Sequence, residues 1–472
     1  MRRHTRSLNL SRLLVAGIGA LLAGLAVPAT GQAIALNCVV PAGTTDSASQ
    51  SPLRFGIYPG GPVGSVNPKA PPRPEDPAKR LATLQALAGS NPFVVRLYSA
   101  WTGDASADDV GAWLDRQIAG YTTTGLEVEL VVRYKPAEAD PGTSPVAFAD
   151  YVRGIVRRYG SDPRFVSLQV TNEANLPGAP DASDGAFEGA AEALVKGVIA
   201  AKDQARQDDH GQLRIGFSWG YDERQQASSS FWASLGRIGG RRFVDAVDWV
   251  GLDSYPGTWV PQIPVSTLVP GLAASAMKES VRSLRDCLMP LAGLGNATAI
   301  HIAENGFPTG VGRSEELQSQ VLVAMVRSVE AIRATYGVTD YRWFDLRDSS
   351  SADPSIESQY GITRDDYSPK PAFATYRDLI AGSSGGAASR ATAANCRPSP
   401  VAVSVPRSTG RGLTSLAVNV GEKVVARVRR SRMPRAVRIS MGSGRSAVKL
   451  RLTTRKNGRR VTRVALRTYR VC

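Results

Sequence analysis

Along the chain, apolar and polar positions change period in a regular way. Short runs rich in Val, Ile, Leu and aromatic residues alternate with longer stretches whose apolar residues recur every three or four positions, the two signatures of strand and helix. The strand-like runs are RFGIYPGG (54–61), NPFVVRLYSAW (91–101), LEVELVVRY (126–134), FVSLQVTNEAN (165–175), LRIGFSWGYD (213–222), FVDAVDWVGLDSYPG (243–257), AIHIAENG (299–306) and YRWFDLRD (341–348). The helical stretches fall between them, at 77–88, 107–120, 145–159, 185–207, 229–238, 274–289, 314–335 and 371–381. Leu81, Leu84 and Leu87 mark the buried stripe of the first, and Val110, Trp113 and Ile118 that of the second, so Trp113 reads as core.

Eight strand–helix units in about 350 residues predict an α/β fold, a (β/α)8 TIM barrel. An open doubly wound sheet uses the same units, and the count of eight favours the barrel. Active residues of a barrel sit at the C-terminal ends of its strands. Polar and aromatic residues gather at those ends: Tyr58, Arg96, Tyr134, Glu173, Trp219, Tyr255, Glu304 and Trp343. The fourth and seventh strands each deliver one carboxylate into a loop, Glu173 behind Asn172 and Glu304 ahead of Asn305 and Gly306. A facing pair of carboxylates is what glycosidic-bond hydrolysis needs, one as acid and one as nucleophile or base.

TNEAN on the fourth strand and AENG on the seventh resemble the clan of retaining glycoside hydrolases with (β/α)8 barrels. The stretch YGITRDDYSPKPAFATYRDLI (360–380) resembles the end of those domains. The likeness spans roughly residues 50–381 and includes the cellulase-like family 5 and the xylosidase-like family 39. It implies Glu173 as general acid/base and Glu304 as nucleophile. It further implies Asn172 on the sugar 2-hydroxyl, Tyr255 donating to the nucleophile, Arg96 keeping the nucleophile ionised, and Trp343 as the floor under the sugar. Trp101, Trp219 and Trp259 are further candidates for sugar platforms. Such an enzyme would act on a β-linked glycan and needs neither metal nor organic cofactor.

Two other readings compete. GFSWG (216–220) matches the GxSxG elbow of serine hydrolases, with Asp253 and His301 following in the order Ser, Asp, His. Against an esterase, His301 lies inside an apolar strand pattern, with Ile302 and Glu304 on the opposite side, and no helix follows Ser218 at once. That placement packs His301 between strand and helix. The second alternative is a barrel that binds glycan or cell wall without cleaving it; the intact Glu173/Glu304 pair argues against it.

The ends of the chain add context. Arg2, Arg3, Arg6 and Arg12 precede an apolar run from Leu13 to Val27 and a small-residue pattern at Ala33-Ile34-Ala35, which predicts a cleaved export signal over residues 1–35. A retained anchor is the alternative; the run is short for a membrane span. A secreted or wall-associated monomer follows, with the barrel over 37–381. Beyond it, AGSSGGAASRATAA opens a small-residue linker (382–396). Residues 397–472 carry 20 Lys and Arg against a single acid, Glu422, while the whole chain stands at +16. Their alternating pattern predicts a basic β-sandwich-like module, with KNG (456–458) as a hairpin turn. In an exported protein such a field favours an anionic cell-wall polymer, and nucleic acid is not expected. Four cysteines (38, 287, 396 and 472) show no metal-ligand spacing. Export permits disulfides, and four cysteines allow three connectivities. Cys38–Cys287 with Cys396–Cys472 is one of them.

Overall fold

The structure is a computed structural model. It describes residues 51–391 and 401–471, apart from 61–66, 68, 104–110, 138–139, 141, 261–262, 266–267, 269, 405–412, 421–422, 429–435, 441–443 and 457–458. The expected signal segment and Cys38, Cys396 and Cys472 lie outside the described residues, and so does the expected cysteine pairing.

Eight parallel strands close into a barrel. They are β1 (Arg54–Ile57), β2 (Phe93–Trp101), β3 (Glu127–Tyr134), β4 (Phe165–Val170), β5 (Arg214–Gly220), β6 (Trp249–Asp253), β7 (Ala299–Asn305) and β8 (Val338–Trp343). β8 returns to β1 through Arg54↔Asp340 to Ile57↔Trp343. The helices between them are α1 (Pro77–Ala88), α2 (Gly111–Thr122), α3 (Ser144–Tyr159), α4 (Ala190–Gln207), α5 (Gln225–Ala246), α6 (Pro270–Ser283) and α7 (Glu315–Tyr336), with α8 (Pro371–Ala391) after β8. Local signals set their ends. Asp76 accepts from the N–H groups of Ala78 and Lys79 to cap α1, and Ser314 caps α7 through Leu317. Gly337, at φ 66°, ends α7 in the left-handed conformation that glycine adopts freely.

The sequence pattern and the structure differ in places. Phe243–Ala246 belongs to α5 rather than to the sixth strand. Gly240, at φ 52°, kinks that helix and lets one element include both stretches. β8 begins three residues earlier than its apolar pattern, at Val338. α8 continues to Ala391, through the first part of the expected linker. Trp113 is half exposed, and Leu114 and Ile118 supply the buried face of α2.

The barrel interior is polar. Arg342 of β8 reaches Glu129 (3.2 Å) and Asp340 (2.9 Å), and Arg96 of β2 reaches the other oxygen of Glu129 at 2.8 Å. Asp340 in turn faces Arg214 (3.3 Å) and His301 (3.2 Å). A chain of buried charges of alternating sign thus climbs from the N-terminal end of the barrel towards its C-terminal mouth. The apolar core lies outside this wall, between strands and helices.

In the C-terminal region, β10 (Leu413–Val420), β11 (Lys423–Val428), β13 (Gly444–Lys456) and β14 (Arg459–Val471) form one antiparallel sheet in the order β11-β10-β13-β14. β9 (Val401–Ser404) and β12 (Ala436–Ile439) form a second. Leu416, Val418, Val448 and Leu450 are buried on one face of the larger sheet. β13 and β14 pair antiparallel up to Lys456↔Arg459; Asn457 and Gly458 of the expected turn lie outside the described residues. Among the described residues no helix is long and apolar enough to cross a membrane.

Candidate active site

The C-terminal mouth gathers three carboxylates. One oxygen from each of Glu173, Asp253 and Glu304 lies within 4.8 Å of the others. Each reaches this place by a different local device.

Glu173 follows β4 on a turn in which Thr171 (φ 65°) and Glu173 itself (φ 47°) are left-handed. Such a conformation is costly for residues with a side chain, roughly 1–3 kcal/mol each. The turn is held by Asp184, whose carboxylate accepts the N–H of Asn172 and of Tyr134, each at 2.8 Å, and the Arg133 guanidinium at 2.8 Å. Its neighbour Ser183 donates to Oε2 of Glu173 at 2.5 Å. Gly220 ends β5 against the same side chain; a Cβ there would sit 3.0 Å from Oε1 of Glu173. Burial, and next the charge of Glu304, push the Glu173 carboxyl up to about 8.

Glu304 owes its direction to a bulge. Strict alternation along β7 would turn Glu304 away from the side that His301 occupies. Between Leu252↔Ile302 and Asp253↔Glu304 the register slips by one residue, and both side chains point inward. There Glu304 meets three donors. Tyr98 donates to Oε1 at 2.5 Å, Arg96 to the same oxygen at 3.2 Å, and Tyr255 to Oε2 at 2.7 Å. Together they match the acceptor lone pairs of a carboxylate. Arg96 is itself fixed by Glu129 and Gln169, both at 2.8 Å, and by the Tyr98 hydroxyl at 2.8 Å. Burial holds the phenols of Tyr98 and Tyr255 well above their ordinary range, so they remain donors.

Asp253 closes β6 beside both glutamates and is buried. Burial, then the charge of Glu304, raise its carboxyl well above the usual range. Among the described residues these three form the one group of His, Cys, Asp or Glu near enough together to share a cation. The oxygens of Glu304 are already taken by Arg96 and two phenols, and an oxygen of Glu173 by Ser183. A donor set so occupied suits protons better than a metal ion.

Of the residues expected from the sequence, the structure brings Glu173, Glu304, Asn172, Arg96 and Tyr255 together. Asn172 is nearly buried; its amide donates to the Ala182 carbonyl (2.9 Å) and accepts from Gln169 (3.2 Å), leaving a second N–H. Trp343 and Trp219 are not in the cleft, contrary to expectation. Inward Asp340 and Arg342 fix the parity of β8, so Trp343 points outward, fully buried against Tyr376 of α8. Trp219 is likewise outward on β5, against Trp232 of α5. Trp101 is buried in a stack with Tyr134. The aromatic side chain at the mouth is Phe344, one residue past β8 and half-buried. It stacks on Tyr58 at 5.0 Å and meets the edges of Tyr255 (6.2 Å) and Tyr360 (5.7 Å). Trp259 is exposed on the loop after Tyr255.

Tyr98, Ser183, Asp184 and Phe344 were missed from the sequence. Only Tyr98 carried a signal, two positions after Arg96 on the same face of β2. The GxSxG serine is no elbow. Ser218 points into the barrel and accepts from Gln169 (3.0 Å) and from the N–H of Glu173 (3.2 Å). His301 is stacked on Trp249 at 4.1 Å beside Asp340, inside the barrel rather than between strand and helix.

No protein-family model matches the chain. No protein of curated function matches it. Solved structures with a similar fold include a family 39 glycoside hydrolase from Bacteroides cellulosilyticus, 14% identical, with 91% of this chain and 81% of that one covered at a TM-score of 0.46. Another is the GH5_18 protein of Bifidobacterium longum in complex with Manβ1-4GlcNAc, at 14% identity, 65% and 72% coverage and a TM-score of 0.48. A third is the Bacteroides uniformis beta-glucuronidase, at 12% identity, 89% and 46% coverage and a TM-score of 0.44. This chain therefore spans less than half the length of that glucuronidase. At such values the likenesses decide nothing about chemistry, and the barrel rests on its own strand register.

Proposed function

We propose that this protein is a retaining glycoside hydrolase acting on a β-linked glycan. The observation that carries the proposal is the unequal setting of two adjacent carboxyls. Glu304 receives three hydrogen bonds suited to a carboxylate, while Glu173, facing the cleft, is held up to about 8 by burial and by the charge of Glu304. A carboxyl held protonated beside one ringed by hydrogen-bond donors supports a division into proton donor and nucleophile. One oxygen of each lies within 4.8 Å of the other, which supports double displacement over inversion, where the carboxyls stand about 6.5–9.5 Å apart to admit a water.

In this reading Glu173 protonates the departing glycosidic oxygen while Glu304 attacks the anomeric carbon and forms an ester. Arg96, Tyr98 and Tyr255 position the attacking carboxylate and receive it again when the ester breaks. Glu173, by then a carboxylate, draws a proton from the incoming water, which attacks the same carbon. The net configuration is retained. Asn172 offers its free N–H to a sugar hydroxyl, and Phe344 presents an apolar face to the ring.

The test is hydrolysis of a panel of aryl β-glycosides and of β-glucan, mannan and xylan, run beside Glu304→Ala with added azide. Loss of activity in the variant and its return with azide as the inverted glycosyl azide support the assignment. A folded wild type inactive on every substrate argues for the binding-only barrel. Export through residues 1–35, and docking of the basic C-terminal module on an anionic wall polymer, belong to the same proposal. Their supports are the N-terminal pattern and the excess of Lys and Arg after 397. The mature N-terminus and salt-dependent retention of the whole protein on such a polymer test them.

A further inference from the structure

Two carboxylates suffice for the reaction, yet the site holds three. Asp253 is 2% exposed, and both its oxygens are buried without a hydrogen-bond partner. The groups that face it come from four other strands. They are Arg96 on β2, Glu173 after β4, Ser218 on β5 and Glu304 on β7, with Tyr98 and Tyr255 engaged on Glu304 beside them. One cation, Arg96, stands among three acids, and Arg96 already donates to Glu129 and to Glu304. The Ser218 hydroxyl, which accepts from Gln169 and from the N–H of Glu173, has one proton left to donate, and Asp253 faces it. A buried carboxylate needs several donors for its lone pairs, and here the Ser218 hydroxyl is the one at hand. A neutral carboxylic acid needs only one acceptor for its proton, and oxygens of Glu173 and Glu304 both lie within 4.8 Å. Like charges this close do not all ionise.

We infer that Asp253 is a positioning residue that works as a protonated carboxylic acid, donating its proton in a hydrogen bond within the Glu173–Glu304 pair. It keeps the cluster at a single negative charge, that of Glu304, and steadies both oxygens without competing as a second nucleophile. The inference rests on the glycosidase reading for what it does in catalysis, but not for the proton itself.

The test has two arms. The first is the difference infrared spectrum of wild type minus Asp253→Asn, without substrate, near pH 7 and in heavy water. A protonated carboxyl C=O band that is lost in the variant and shifts on deuteration is the expected result; a difference carrying only carboxylate bands overturns the inference. The second arm is kinetic. Asparagine keeps an N–H donor and alanine does not. Asp253→Asn should retain at least about a tenth of the wild-type kcat, and Asp253→Ala should lose about 100-fold, the scale of a hydrogen bond to a charged group. Equal losses in both variants would show that the charge, not the donor, is needed, and would overturn it too. If Asp253→Ala does not fold, the infrared arm and the asparagine variant still decide. Azide rescue of Glu304→Ala addresses the glycosidase reading alone, so the two failures are distinguishable.

Discussion

The Tyr255 hydroxyl lies 2.7 Å from Oε2 of Glu304, the oxygen that Arg96 and Tyr98 leave free. Attack on a sugar turns one carboxylate oxygen into an ester oxygen, so a donor on each side must keep Glu304 in one rotamer while its charge disappears. Removing the hydroxyl leaves the ring, which is held at its edges by Phe344 and Tyr360. Tyr255→Phe should therefore fold normally and lose kcat by roughly 10- to 100-fold, the worth of one hydrogen bond to a charged group. Steady-state kinetics on an aryl β-glycoside with a poor leaving group gives the answer; an unchanged kcat would separate Tyr255 from the nucleophile.

Ser183 acts on the other carboxyl. Its hydroxyl donates to Oε2 of Glu173 at 2.5 Å, and this bond lowers the carboxyl against the larger upward push of burial and of Glu304. A general acid works only while protonated, so activity falls as pH rises through its pKa, about 8 here. Without the bond the carboxylate is less well stabilised and the pKa rises further. Ser183→Ala should move the basic limb of the kcat/KM profile to higher pH and leave the acidic limb in place. A basic limb that moves down, or an acidic limb that moves instead, contradicts Glu173 as the acid.

The same raised carboxyl has a consequence for stability. In the unfolded chain Glu173 loses its proton near 4.5, and in the folded protein only near 8. Between those values the folded state holds a proton that the unfolded state has released, so the contribution of Glu173 to stability is present below 4.5 and is lost as pH rises towards 8. Glu173→Gln has no such proton to lose. Its Tm relative to wild type should climb steadily between pH 5 and 8, with little change in the difference below 4.5. Thermal melts across that range measure it; a flat difference would remove the raised carboxyl from the account.

How far the site could be read in the sequence depended on whether a residue obeyed strand parity. Tyr255 was legible because strand end and residue type agreed; Arg96 was legible by residue type alone, since β2 runs on to Trp101 and leaves it in mid-strand rather than at the end the sequence suggested. Glu304 was legible by its context, AENG, but its direction was not, because the bulge between Ile302 and Glu304 leaves no mark in the alternation of AIHIAEN. The eight strand–helix units were legible from period alone, whereas Phe243–Ala246 looked like strand because its apolar residues serve a helix beyond the Gly240 kink. The charges inside the barrel were visible as alternate positions in ELVVR and DYRW, but their pairing across β2, β3 and β8 needed the closed register. Ser183 and Asp184 lie in a loop with no motif, and only the turn they brace gives them meaning.

Phe344 and Trp343 show the parity argument most sharply, and one experiment separates them. The sequence favoured the larger ring; the structure turns it outward against Tyr376 and leaves Phe344 between Tyr58 and Tyr255. Phe344→Ala should raise KM or cut kcat/KM by about two- to tenfold, since an aromatic face is worth roughly 0.5–1.5 kcal/mol beyond its buried area, with a small change in Tm. Trp343→Ala should cost about 3–5 kcal/mol of stability as a core truncation while the KM of the surviving folded fraction stays near wild type. The reverse pattern in paired denaturation and kinetic measurements would place the sugar on Trp343 after all.

Asp184 joins stability and activity in one side chain. It is fully buried, and its two oxygens receive the Arg133 guanidinium and the backbone N–H groups of Tyr134 and Asn172. Those two N–H groups tie the turn after β4, with its left-handed Thr171 and Glu173, to the end of β3. Asp184→Ala strands all three donors at once. A buried charge left without its partner costs about 3–5 kcal/mol, so the unfolding free energy from urea denaturation should fall by that amount, through a lower midpoint at an unchanged slope. The strained turn then has nothing to hold it, and Glu173 drifts from the pocket between Ser183 and Gly220. Loss of kcat should exceed the loss expected from unfolding alone, and saturating substrate should not restore it. Asp184→Asn, which keeps an acceptor oxygen for the backbone but not the charge for Arg133, should fall between wild type and Asp184→Ala in both measurements. If the asparagine variant matched alanine in stability but wild type in kcat, the brace would be electrostatic only, and the geometry of the turn would have to be fixed by β4 itself.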